Sequence, residues 1–288
     1  MPRMKLVLVL AAAVVFAFPG WCAAQAVPAA EIADSQAAAA KPLMQPDALG
    51  FEPVEPAPVA RPFNKGFYLD GWKQLGPKVF QDQARLWAFP FSVARGKHLT
   101  PVVAVAAATI ALIGVDHYST GYFYRTSSFQ GFNNALSGPN TALLSELIPA
   151  GLYAIGLARR DKYAQETFFL AGRAVIDSEI LTSVMKDLDR RAVIENNTFT
   201  NSWFLKNEGH YLGGKGSFPS GHMIAAFAVA TTYAKRYPNP AWHRWVAYGL
   251  AGLIGFSRVS IHSHYASDVF AAGALGFAIT NYLVVNHP

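Results

Sequence analysis

"SFPSGHMIAAF", residues 217–227, sets a Pro-Ser-Gly-His tetrad directly in front of an apolar run. Pro219, Ser220 and Gly221 are turn residues. Ser220 is placed to be the N-cap of a helix that carries Gly221 and His222 in its first turn. A helix N-terminus offers unpaired N–H groups and a partial positive charge, so it favours anions. Read alone, the stretch is more readily a capped turn with a solvated histidine, because short motifs match by chance.

The surrounding pattern is helical. From His98 onward apolar runs recur at about 100–115, 141–158, 165–186, 221–236, 244–260 and 267–285, with no strand-like alternation competing. The expected fold is therefore all-α: a bundle of about six helices over 99–288. Of the 288 residues, 52% are hydrophobic and 15% charged. That charged share falls short of a soluble protein's usual quarter and favours membrane contact. Residues 100–115 and 268–285 are credible spans, whereas 166–186 carries Arg173, Asp177 and Glu179, each costly at a bilayer centre. Either these charges face the bundle interior or the bundle is soluble; lengths and flanks favour membrane insertion. The net charge of +6 suits anionic substrates or lipid surfaces, and no basic stripe interleaved with aromatics points to nucleic acid.

Ahead of the bundle, Arg3 and Lys5 precede an apolar run over 6–18 and a small-residue site, "AQA", at 24–26. Residues 1–26 read as a signal peptide, and a first membrane anchor is the other reading. Cleavage after Ala26 would remove Cys22, the single cysteine. Residues 27–62, rich in Ala and Pro, read as a disordered linker. Residues 63–98 form an aromatic lead-in with a short helix expected around Pro77 to Ala88.

Two further stretches matter. In "SRVSIHSHYASDVFAAG", residues 257–273, His264 and Asp268 stand four apart, so the carboxylate can accept from one ring nitrogen and make the other the better nucleophile. Arg258 can grip a phosphoryl oxygen. A structural bond that caps a helix explains the His–Asp pair equally well. In "MKDLDRRAVIENN", residues 185–197, Lys186 ends an apolar helix and Arg190 and Arg191 follow, as the helix dipole alone would favour.

In this order the three stretches resemble the type 2 phosphatidic acid phosphatase family, which includes bacterial non-specific acid phosphatases and vanadium haloperoxidases. Its signature runs K-x6-R-P, then P-S-G-H, then S-R-x5-H-x3-D. The second part is complete at Pro219, Ser220, Gly221 and His222, and the third at Ser257, Arg258, His264 and Asp268. The first departs: after Lys186 the expected Arg-Pro is Val193-Ile194, and Arg191 is the candidate to supply the guanidinium. The resemblance covers roughly 100–285. It implies that His264 attacks phosphorus, Asp268 supports its ring and His222 serves as acid and then base. Lys186, Arg191, Ser220, Gly221 and Arg258 would hold the phosphoryl oxygens. It implies no metal and no cofactor, although vanadate could stand in for phosphate.

The expected activity is phosphoric monoester or diphosphate hydrolysis through a phosphohistidine, on a lipid phosphate at the periplasmic face of a bacterial inner membrane. Alternatives are a soluble secreted acid phosphatase acting on small phosphomonoesters, an inactive member that binds anionic lipid, and a vanadium haloperoxidase. The loop 196–216 reads equally as a lid or as an ordinary exposed loop, and the extra His262 as a surface polar residue.

Overall fold

Long apolar runs without strand alternation leave the chain one way to satisfy its backbone, and among the described residues every regular element is helical. The computed structural model describes residues 67–136, 140, 149–151, 153–194, 201–204 and 216–285. The expected signal peptide and linker, and most of loop 196–216, lie outside these residues. The helices are α1 (Phe67–Ala94), α2 (Leu99–Arg125), the short α3 (Gln130–Ala135), α4 (Lys162–Asp189), α5 (Gly221–Arg236), α6 (Trp242–Ser260) and α7 (Ala266–Ile279). The last continues into a π-helical turn, Thr280–Val285. Of the run expected at 141–158, residues 149–151 and 153–158 are helical or in the turn that follows, and 141–148 lie outside the described part.

Helix α5 is the centre, packed against α4, α6 and α7. Its inward positions are small: Ala226 and Ala230 meet Ala247 and Ala251 of α6, while Met223 and Ile224 meet Val269, Ala272 and Ile279. Small residues let helix axes close up. Gly276 of α7 is the extreme case, because a Cβ there would stand 2.5 Å from the Ile224 carbonyl oxygen. The tetrad at the head of α5 and the His264–Asp268 segment at the head of α7 are thereby held together.

Helix α4 starts where Asp161, its N-cap, accepts the Ala164 N–H at 3.0 Å. It stops at Arg190, whose φ of 42° is left-handed. Its charges fall on both sides. Arg173 and Asp177 are buried, and Glu179 is exposed.

The lead-in helix is longer than Pro77 to Ala88, at 28 residues, and carries Pro77 and Pro90 internally. It docks on α4 through charge: Arg173 meets Asp82 Oδ2 at 2.7 Å from Nε and 2.6 Å from a terminal nitrogen, both side chains nearly sealed. Beside them Gln83 donates to Asp177 at 3.0 Å. Removing one member of such a pair strands the other. Arg173→Met is expected to destabilise the fold by about 3–5 kcal/mol, read by denaturation in detergent, with Asp82→Leu/Arg173→Met recovering most of it.

Among the described residues two elements are long and apolar enough to cross a bilayer: α2, with a mean hydropathy of 2.0, and Ala266–Val285, at 1.5. Half of the second is buried within the bundle, but only 11% of α2 is. Its outer face shows Val103, Ile110, Val115 and Tyr118. Its buried residues are polar, Asp116 and Thr120.

Candidate active site

The stretch before α5 is pressed onto the end of α4. Gly216 makes this contact, since a Cβ there would lie 2.8 Å from the Lys186 carbonyl oxygen. Ser217 follows and uses all three of its polar groups. Its N–H donates to the Arg191 carbonyl at 3.0 Å, and its Oγ donates to Asp268 Oδ2 at 2.5 Å. Its own carbonyl lies 2.8 Å from His264 Nδ1. A carbonyl can only accept, so Nδ1 carries the proton, and in the neutral ring Nε2 keeps a free lone pair. The Ser217 carbonyl thus sets the tautomer of His264.

This corrects the expected pairing of the histidine with its carboxylate. Asp268 Oδ2 stands 3.7 Å from His264 Nδ1, close enough for charge but too far for a hydrogen bond. The same oxygen accepts the Tyr265 N–H at 3.0 Å as well as the Ser217 hydroxyl, which fixes the carboxylate elsewhere.

Ser220 sits at the N-cap of α5 as expected, but its hydroxyl makes no capping bond. Its N–H donates to the Asp268 carbonyl at 3.3 Å, and its Oγ is buried without a partner. The Ser220 side chain thus gives the first turn of α5 no bond, and Gly221 and a half-buried His222 lead the helix. The exposed Glu179 carboxylate is close by, 3.6 Å from where a Gly221 Cβ would be.

The two arginines differ in their surroundings. Arg191 is 1% exposed. Its Nε and one terminal nitrogen donate to Asn201 Oδ1, the second of these contacts alongside a 2.6 Å bond to Asp116 Oδ2. The other terminal nitrogen donates to Ser267 Oγ at 2.7 Å and to Asp268 Oδ1. Five N–H groups meet five acceptor contacts, and the guanidinium is sandwiched by Trp203 and Tyr265, 4.6 and 4.1 Å from its carbon. The phosphate-holding role expected of Arg191 does not fit this geometry, because no donor is left over. Arg190 turns back on its own helix, donating to the Asp187 carbonyl, and Val193 is exposed.

Arg258 is equally buried, and among the described residues its hydrogen-bond acceptors are neutral: Ser257 Oγ and the Leu136 carbonyl. Burial without a counter-charge pushes its guanidinium down to about 10. Its own carbonyl accepts the N–H groups of Ser263 and His264, which sets the turn that carries His264. Burial also lowers the Lys186 ammonium, opposed by the charges of Glu179, Asp268 and Asp189. His262, expected at the surface, is half-buried at φ 60° against Tyr124, with Nε2 buried and unpartnered. Among the described residues no cluster of three metal-ligating side chains occurs.

Sequence reading passed over Ser217, Ser267, Asn201 and Asp116. Asp116 carried a signal, being an acid directly after an apolar run that reads as a membrane span.

Asp189, at the end of α4, accepts the Arg191 N–H at 3.0 Å. Burial pushes its carboxyl up to about 6, and the Arg191 N–H only partly offsets this. The folded state thus holds this proton where the unfolded chain has released it. The group's stabilisation is complete below about pH 4 and is lost as pH rises through about 6. Asp189→Asn should gain in melting temperature relative to the wild type as pH is raised across that window. A constant difference would contradict this.

Residues 169–288 match the family model of the PAP2 superfamily. Lipid A 1-phosphatase of Porphyromonas gingivalis is 38% identical over 64 residues, 22% of this chain and 14% of that protein. The match thus spans a small part of that relative's length. The solved transmembrane PAP2-type phosphatidylglycerolphosphate phosphatase of Bacillus subtilis aligns over 72% of this chain and 94% of its own. Its identity is 21% and its TM-score 0.32, a loose superposition.

Proposed function

We propose that the chain hydrolyses a phosphoric monoester or diphosphate of a lipid through a phosphohistidine on His264. The observation that carries this reading is Arg258, a buried guanidinium with no carboxylate among its described partners. A sealed cation without a counter-ion is costly to keep, and a phosphoryl group would satisfy it. The unpartnered Ser220 hydroxyl and the uncapped head of α5 offer further donors.

In the first step His264 Nε2 bonds to phosphorus while the bond to the leaving oxygen breaks, and His222 gives that oxygen its proton. The phosphorylated ring keeps its Nδ1–H on the Ser217 carbonyl and becomes cationic, facing Asp268 at 3.7 Å. In the second step His222 takes a proton from water, the resulting hydroxide attacks phosphorus, and the electron pair returns to Nε2. Arg258, Lys186, Ser220 and the Gly221 N–H hold the oxygens where charge grows.

The lipid part rests on α2. Its 27 residues extend about 40 Å, and a soluble protein would leave Val103, Ile110, Val115 and Tyr118 in water. With α2 and 266–285 spanning, His264 falls just before a span and so at head-group level. Likeness to a lipid A 1-phosphatase favours the same substrate class.

The test is acid-labile, base-stable label on the protein after a quenched incubation with phosphate-labelled dioleoyl phosphatidate in mixed micelles. Phosphate release without any such intermediate would sink the histidine mechanism. The absence of release from lipid and from p-nitrophenyl phosphate alike would sink the phosphatase.

A further inference from the structure

Asp116 lies on α2, some fifty residues ahead of the matched domain, yet its carboxylate is 0% exposed and reaches the heart of the site. Oδ1 accepts the Ser267 N–H at 3.0 Å, and Oδ2 accepts the Ser267 hydroxyl at 2.5 Å and Arg191 at 2.6 Å. The first turn of α7 is therefore capped by a residue of another helix. Arg191 is shared between Asp116 and Asp268, both sealed from water.

The charges decide what this sharing does. Two carboxylates on one guanidinium leave the trio with one net negative charge, 3.7 Å from His264 at its nearest oxygen. Were Arg191 paired with Asp268 alone, it would cancel the charge that the cationic phosphohistidine needs. In a low-dielectric interior that difference is felt strongly. Building on the phosphohistidine reading above, we propose that Asp116 is a positioning residue of the reaction. It draws Arg191 partly off Asp268, so that Asp268 keeps its charge for His264, and it fixes the turn that carries both. Arg191 is the lever through which Asp116 acts, not a phosphate ligand.

The test uses the full chain in detergent with two probes, p-nitrophenyl phosphate and dioleoyl phosphatidate. D116N is expected to lower kcat and the rate of phosphoenzyme formation about 100-fold on both probes, with KM changed less than about threefold. D116N/R191Q removes cation and anion together and returns the trio to one negative charge, so kcat should recover by about tenfold or more over D116N. A purely structural role predicts no such recovery.

Wild-type kcat in D116N overturns the proposal, as does a loss confined to KM, or a double variant slower than D116N. If D116N fails to fold, the double variant takes its place. Turnover within about tenfold of wild type then supports the proposal, and a folded but inactive double variant overturns it. If the wild type shows no His264-dependent phosphate release, the phosphatase reading itself has failed and the role of Asp116 falls with it.

Discussion

His264→Ala is expected to lower kcat for phosphate release by at least about 1,000-fold, with the folded state retained. Its Nε2 is the lone pair that the Ser217 carbonyl leaves free, and alanine offers none. The stability cost is modest, because the ring makes one polar contact, to backbone. Label transfer to the protein should disappear together with turnover. His222→Ala gives the contrasting result. With p-nitrophenyl phosphate the leaving group needs no proton, so label should still form and then persist, because the base that activates water is gone. Equal label in His264→Ala and wild type would place the nucleophile elsewhere.

Arg258→Ala is expected to reduce kcat by about 100- to 1,000-fold without lowering the melting temperature. The pairing of outcomes matters more than either one. A structural arginine such as Arg173 holds a buried carboxylate, and its loss destabilises the fold. Among the described residues Arg258 has neutral acceptors only, so its removal takes away a buried charge that no described carboxylate compensates. Orthovanadate, as a phosphate mimic, should raise the melting temperature of the wild type and leave Arg258→Ala unmoved, since only a group that binds the folded state shifts that equilibrium. Loss of activity together with loss of fold would make Arg258 structural.

Much of this protein was legible in its sequence. Apolar periodicity gave α4, α5, α6 and α7 nearly to their ends, because a buried helical face must repeat every three to four residues. Turn chemistry located the heads of α5 and α7, and the spacing of Arg258, His264 and Asp268 marked the reacting segment. What failed was assignment of partners. The apolar run read as 100–115 ends one residue short of Asp116. Its hydropathy identifies a membrane-length helix, but it does not tell which side of that helix faces the bundle. The α1 helix was read short because Pro77 and Pro90 signal breaks, whereas docking of Asp82 on Arg173 carries the helix through both.

The sequence by itself determined an all-helical chain, the order of its three charged stretches, and the residue types available for phosphoryl chemistry. Those follow from local rules of periodicity, capping and side-chain chemistry, which act within a few residues. Only the tertiary structure decided which arginine is paired with carboxylates. Asp116, 75 positions before Arg191, and Asp268, 77 after it, converge on that guanidinium, while the acceptors of Arg258 among the described residues are neutral. Charge pairing depends on distance in space and on exclusion of water, and neither is written in the spacing of residues.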